Sequence, residues 1–375
     1  MRETMLAAVL HGSEDLRMER VPVPKPGRGE IVVRVGAALT CGTDLKVYRR
    51  GYHAMMLKPP IVFGHELAGM VAAAGPGARF LPGDRVVPMN SAPCDLCFFC
   101  QRGQHNLCED LLFNNGAYAQ YLRIPARIIE KNTLTIPAGL PFEHAALTEP
   151  LACVVHGFRE SGARPGDTMA VIGAGPIGLM FIHVGALHGV RVIAVVKRED
   201  QVTTARYFGA AEVVRVSEGL DTVTQVRALT AGQRGADVVI EAVATPATWE
   251  QGVAIVRKGG VVNFFGGPPR GTVVALDTNR LHYGDISLKA SFHHTPSACR
   301  AAFDLIAGGR FQSAGFITRT APLQEVPAVF ARMMTRSFDN QPDIKTAIFP
   351  NGDLQHFAHT AAASIPEEVT IGSAR

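Results

Sequence analysis

Thr168-Met-Ala-Val-Ile-Gly-Ala-Gly-Pro-Ile-Gly178 sets the architecture of this chain. Thr168 to Ile172 is a short apolar run that reads as a strand, and Gly178 to His188 continues as an apolar helix. Between them stands Gly173-x-Gly175-x-x-Gly178, with Pro176 and Ile177 at the open places. The first glycine permits the turn, the second lets a pyrophosphate approach the backbone, and the third lets helix and strand pack closely. A diphosphate then rests on the unpaired amides of the helix N-terminus. A glycine triplet alone is a weak signal; its place between strand and helix gives it weight. Working outward, Val190 to Val196 reads as a strand, Gln201 to Phe208 as a helix, Asp237 to Glu241 as a strand and Trp249 to Val256 as a helix, with Gly260 to Phe265 closing the series. That alternation predicts a doubly wound parallel sheet, hence an α/β fold with a dinucleotide site.

The second strand bears on which dinucleotide is bound. A carboxylate at its end would bond the ribose 2′-hydroxyl and repel a 2′-phosphate. Here the strand ends in Val196 and is followed by Lys197 and Arg198, which favours NADP over NAD. The alternative is that both cations are ordinary surface charges and that Glu199 or Asp200 reaches the ribose.

Composition bounds the remaining classes. The chain has 375 residues, enough for two domains with full cores, and 47% apolar against 19% charged residues marks it as globular. A formal charge of +4, with no lysine- or arginine-rich block, gives no footing for nucleic acid. Met169 to Val190 could be mistaken for a membrane span, but its five glycines, proline and two histidines suit a buried α/β core better. The N-terminus has only the short apolar run Met5 to Leu10 before His11, so no secretory signal is read and a cytoplasmic setting is expected.

Residues 1 to about 90 read as β-rich, with short apolar runs at Leu6–Leu10, Glu30–Val35 and Leu67–Ala73 separated by Pro/Gly punctuation. Pro141 to Ser161 reads as helical, and Pro296–Ala307 and Val326–Met334 read as helices flanking one more strand. Four of the seven cysteines crowd into Cys94-x2-Cys97-x2-Cys100-x7-Cys108, within an aperiodic loop at 91–110. Two-residue gaps let consecutive thiolates close on one tetrahedral ion, and four sulfurs leave no position for substrate. This is the pattern of a structural zinc knuckle.

A different ligand set is scattered along the chain. His65 and Glu66 stand together inside the apolar segment Ile61 to Val71, where a lone histidine would usually be a hydrogen-bonded core residue. Cys41 lies upstream in Thr-Cys-Gly-Thr-Asp and Glu149 downstream in Leu-Thr-Glu-Pro-Leu. Sulfur, imidazole and carboxylate suit zinc, and three protein ligands leave a fourth position open for chemistry.

Cys41-Gly-Thr-Asp44, Gly64-His-Glu-x-x-Gly69, the four-cysteine knuckle, Thr148-Glu-Pro150 and Gly173-Ala-Gly-Pro-Ile-Gly178 occur in the order found in zinc-dependent medium-chain alcohol dehydrogenases. The chain resembles the polyol and threonine dehydrogenase branch of that family, because Glu149 stands where simple alcohol dehydrogenases have cysteine. The resemblance implies a GroES-like β-rich catalytic domain from 1–152 and 289–350, a Rossmann domain at 153–288 inserted between, and a C-terminal tail at 351–375. It implies a homodimer or homotetramer acting on a small-molecule substrate, with two zinc ions per chain, one catalytic and one structural. The catalytic ligands carried over are Cys41, His65 and either Glu66 or Glu149. Asp44 would accept the second proton of His65 and fix its tautomer. Thr43 would pass the substrate's hydroxyl proton towards the cofactor ribose, and Lys46, which stands where the branch often has histidine, would carry the proton on or contact cofactor phosphate. Tyr48, His53, His293 and His294 fall where relatives line the substrate pocket, although the histidine pair replaces an arginine and an aromatic residue. Cys153, His156, His183, His188 and Trp249 read as packing, and Cys299 carries no ligand role.

The expected activity is hydride transfer between a secondary alcohol (polyol, sugar or amino alcohol) and its ketone. The alternatives are a medium-chain reductase of conjugated carbonyls and a nucleotide-binding protein without turnover.

Overall fold

The computed structural model describes residues 3–53, 55–219, 221–335 and 343–352. Of the expected tail, residues 353–375 lie outside the described residues.

The central segment folds as a six-stranded parallel sheet in the order Glu212–Arg215, Arg191–Val196, Thr168–Ile172, Ala236–Glu241, Val256–Phe264, Ser287–Ala290. The order in which strands are added reverses at Thr168–Ile172, which has later strands on both sides, and this switch point opens a crevice at the carboxyl ends of the strands. The strands Thr168–Ile172 and Arg191–Val196 are buried on both faces, as their unbroken apolar runs require, and helix Pro176–Leu187 covers one side. The last strand departs from expectation: Ser287–Ala290 extends the series beyond Phe265. All four of its residues are exposed, so no apolar pattern marks it.

The β-rich part holds a three-stranded sheet, Asp15–Pro22, Thr4–Gly12 and Ile61–Val62, and a larger one centred on Ile31–Leu39 and Glu66–Ala74. The larger sheet is completed from the far end of the chain. Lys345–Phe349 pairs antiparallel with Ile31–Leu39, with Ala347 opposite Leu39, while Leu39 also faces Glu66 on its other side.

Helix Thr148–Ser161 packs against Pro296–Ala307 and against Pro176–Leu187, joining the two parts. The helical stretch expected over 141–161 is two helices, Phe142–Ala146 and Thr148–Ser161, meeting at Leu147. Pro150 explains the break, since it has no N–H for the carbonyl of Ala146 and its ring would crowd that oxygen. Both expected domain boundaries cut an element: 152/153 falls inside helix Thr148–Ser161, and 288/289 inside strand Ser287–Ala290.

Candidate active site

Cys41 caps helix Gly42–Arg50, its sulfur accepting the amide of Thr43 at 3.4 Å. This places Cys41, Thr43 and Asp44 at the end of strand Ile31–Leu39, beside the start of strand Glu66–Ala74. The result is a tight group: one donor atom each of Cys41, His65 and Glu66 lies within 4.8 Å of the others. His65 Nδ1 is 2.8 Å from Asp44 Oδ1, so the other ring nitrogen is free to face an ion. Burial opposes a charge on His65, but the Asp44 carboxylate and Cys41 outweigh it and hold its pKa well above the usual value.

Two residues of this group escaped the sequence reading. The Tyr118 hydroxyl lies 2.9 Å from both Asp44 Oδ2 and the carbonyl oxygen of Leu39, donating toward them and fixing the carboxylate that orients His65. Lys345 Nζ donates to Glu66 Oε1 and Oε2 at 2.8 and 2.6 Å and to Thr40 O at 2.9 Å. Both partners of that ion pair are fully buried. Burial raises the pKa of Glu66 and pulls down that of Lys345, and their mutual attraction opposes both, so that Lys345 ends above its usual value. Ionised, Glu66 keeps lone pairs beyond those that Lys345 engages, so it can bond the ammonium and an ion together. Lys345 had a signal in the sequence: a lysine inside Ile344-Lys-Thr-Ala-Ile-Phe349.

Glu149 joins a neighbouring group instead. Its carboxylate and one nitrogen each of His293 and His294 lie within 4.8 Å of one another. Its pKa is raised to about 7 by burial, with the charge on His65 opposing. The structure does not bring Tyr48 to either group, since its hydroxyl donates to Glu14 O at 3.2 Å and its ring packs on Phe330. His53 Nδ1 accepts the amides of Met55 and Met56. Cys299, read as free of any such role, has its sulfur 3.3 Å from His294 Nδ1. His183 is a hydrogen-bonded core histidine, its ring meeting Phe208 O and the amide of Gln312. Trp249 stacks on Phe264 with centroids 3.8 Å apart.

In the loop, the sulfurs of Cys94, Cys97, Cys100 and Cys108 lie within 4.8 Å of one another. Backbone amides converge on them, Leu96 and Cys97 on Cys94 and the Cys94 amide on Cys108. Backbone amides draw the Cys97 thiol down to about 6, whereas burial pushes Cys100 up to about 12. Four sulfurs in a nest of amides fit a tetrahedral zinc shell.

The crevice between the parts is a cleft of about 200 Å³ whose walls include Thr40, Gly42, Gly175, Pro176, Arg198 and Gln201. Gly173 has φ 97°, and a Cβ on Gly178 would sit 1.8 Å from the Gly173 carbonyl oxygen, so neither position accepts a side chain. Gln201 clamps the rim, accepting the amides of Lys197 and Arg198 and donating to Ala174 O. Arg198 itself is paired with Asp200 at 3.0 Å, while Lys197 is exposed. Lys46 donates to Gly267 O at 3.3 Å, and desolvation, then Arg50, lowers its pKa.

Comparison with known proteins agrees with this arrangement. Residues 27–136 match the alcohol dehydrogenase GroES-like domain, and residues 176–308 match the zinc-binding dehydrogenase domain. Sorbitol dehydrogenase of Bacillus subtilis (strain 168) is 29% identical over 357 residues, covering 93% of this chain and 98% of its own. L-threonine 3-dehydrogenase of Bacillus licheniformis is 32% identical over 330 residues, covering 86% and 93%. A zinc-binding dehydrogenase structure from Sinorhizobium meliloti 1021, bound to NADP, superposes with a TM-score of 0.84 at 30% identity, covering 93% of this chain and 100% of that one. The chain belongs to the zinc-dependent medium-chain dehydrogenases, in the polyol and threonine dehydrogenase-like branch. It is a zinc-dependent, NAD(P)-linked oxidoreductase of the alcohol and polyol type. Among the described residues, no helix is long and apolar enough to cross a membrane.

Proposed function

We propose that this chain interconverts a secondary alcohol of the polyol, sugar or amino alcohol kind and its ketone, using NADP in preference to NAD. The observation that carries the reading is the convergence of Cys41, His65 and Glu66 beside the glycine turn, with His65 tethered to Asp44. Cys41, His65 and Glu66 would hold the catalytic zinc, and Cys94, Cys97, Cys100 and Cys108 a second, structural one. Bound there, zinc would supply Lewis-acid stabilisation of the substrate oxygen, and a nicotinamide cofactor would supply or accept the hydride.

The chain's own residues do the rest. Asp44, held by Tyr118, keeps the His65 ring in one tautomer and orientation. Lys345 holds Glu66 ionised and aimed at the same point. Thr43, two residues beyond Cys41, would pass the hydroxyl proton outward, and Lys46, whose pKa desolvation and then Arg50 lower, would carry it on or contact cofactor phosphate. Glu149 sits behind the centre, where a carboxylate whose pKa is near 7 can hold a proton or a substrate hydroxyl.

The test is a turnover screen of polyols, sugars, amino alcohols and their ketones with NAD(H) and NADP(H) in parallel. Oxidation of at least one such alcohol is expected, and activity confined to conjugated carbonyls would contradict the reading. For the cofactor, Arg198→Ala should weaken NADPH binding roughly ten- to hundredfold, the worth of a charge-assisted phosphate contact, and leave NADH binding nearly unchanged. Equal losses for both in fluorescence titration would return the ribose to Asp200.

A homodimer built on the exposed edge strand Ser287–Ala290 fits the exposed Leu288 on it, since an uncovered edge invites pairing with a second copy. Leu288→Lys should then shift the protein to monomer in light scattering. A cytoplasmic setting suits seven free thiols, four of them gathered as a knuckle. Cys100→Ser should lose the knuckle ion alone, seen as a drop of one in the metal count.

A further inference from the structure

Strand Ala236–Glu241 lies next to Thr168–Ile172 across the switch point, with Glu241 directly opposite Ile172. The chain leaving each strand therefore forms one wall of the dinucleotide crevice, Gly173-x-Gly175 on one side and Ala242-Val-Ala244 on the other. The two walls are in contact: the Ala242 amide donates to Ile172 O at 3.0 Å, and a Cβ on Gly173 would lie 2.5 Å from Val243 Cγ2. Val243 is 42% exposed, so an uncovered apolar face stands beside the glycine turn.

Glu241, at the root of that second wall, is fully buried. Its Oε1 accepts the amides of Val243 and Ala244 and the hydroxyl of Thr248, each at 2.8 Å. Thr248 forms a capping box with Thr245 at the start of helix Pro246–Ile255, so one oxygen ties together a strand end, a turn and a helix. Ala244 holds φ at 79°, a conformation alanine rarely adopts, and the twist brings two consecutive amides onto one acceptor. Oε2 is buried with no hydrogen-bond partner among the described residues. It lies against Gly266, where a Cβ would sit 2.7 Å from it and 2.6 Å from the Ala244 nitrogen. Burying a carboxylate with one oxygen unpaired costs stability, and an apolar side chain would fill the space without that cost. An apolar side chain would not gather the two amides, and so would not fix where Val243 stands.

We propose that Glu241 is a positioning residue for the dinucleotide, holding Val243 and Ala244 against the glycine turn so that the second wall of the crevice is set before the cofactor enters. A wall fixed in advance spares binding the cost of ordering it. The proposal rests on the dinucleotide reading of the crevice and is independent of which alcohol is oxidised.

The experiment is a fluorescence titration of the full chain with NADPH or NADH, whichever wild type binds more tightly. Glu241→Leu, which removes the acceptor, should raise the Kd about tenfold or more, while the KM for alcohol at saturating cofactor stays within about twofold. Glu241→Gln keeps an oxygen for the two amides and should hold the Kd within about threefold of wild type, a rescue that loss of stability alone would not produce. Thr248→Val removes one of the donors to Oε1 and should raise the Kd severalfold, which keeps the test open if Glu241→Leu does not fold. Wild-type affinity in folded Glu241→Leu, wild-type affinity in Thr248→Val where Glu241→Leu does not fold, or equal rises in cofactor Kd and alcohol KM would overturn the proposal alone. Wild type that binds neither nucleotide would remove the dinucleotide reading and the proposal with it.

Discussion

His65→Ala is expected to reduce turnover to background while leaving the knuckle ion in place. Lewis-acid stabilisation is worth several kcal/mol at the transition state, and each 1.36 kcal/mol is about a tenfold rate change, so a loss on the order of a thousandfold or more follows. Truncation also strands Asp44, which is buried with its carboxylate bonded to His65 and Tyr118. His65→Gln offers Asp44 an amide donor and should lose comparable activity with less loss of stability. Tyr118→Phe, which removes one hydrogen bond from the orienting chain, should cost far less than either. Steady-state rates and metal counts on the three variants check this series. A fully active His65→Ala enzyme has no place in this mechanism.

Lys345→Met is expected to destabilise the protein more than any surface substitution. It removes one partner of a fully buried ion pair and leaves the Glu66 carboxylate without its ammonium. Breaking such a pair costs about 3–5 kcal/mol, against about half a kcal/mol for most exposed changes. Burial already raises the Glu66 pKa with Lys345 opposing, so without Lys345 the carboxyl should take up a proton and bind the catalytic ion less well. The urea midpoint should fall sharply in Lys345→Met and recover substantially in the double variant Lys345→Met/Glu66→Gln, in which no charge is stranded. Equal midpoints for wild type and Lys345→Met would show that the pair does not hold the two ends of the chain together.

The glycine turn and the cysteine knuckle were readable because each is local: the residues that make the site are neighbours along the chain, and their spacing states the geometry. The same holds for His65 beside Glu66 and for Cys41 close to Asp44. Lys345 was not read as part of the site because its partner Glu66 lies 279 residues away. Sheet pairing between Lys345–Phe349 and Ile31–Leu39 brings them together. Tyr118 was missed for the same reason, its hydroxyl reaching Asp44 across 74 residues. Strand Ser287–Ala290 carries no apolar alternation because no residue in it is covered in the single chain. The break before Thr148 was legible in principle, since Pro150 cannot sit in a helix interior, but the apolar run on both sides concealed it. Glu149 shows the limit of reading by resemblance: motif order could not choose between it and Glu66, whereas the fold gathers Glu66 with Cys41 and His65, and Glu149 with the two histidines.

The central claim is that sulfur, nitrogen and oxygen from Cys41, His65 and Glu66 meet on one catalytic zinc facing the nucleotide crevice. Anomalous scattering at the zinc edge, from crystals grown without added metal, tests it most directly. The expected map has one peak inside Cys94, Cys97, Cys100 and Cys108 and a second ringed by Cys41, His65 and Glu66. A peak at the knuckle alone, in crystals of enzyme that still turns over alcohol, would contradict the account.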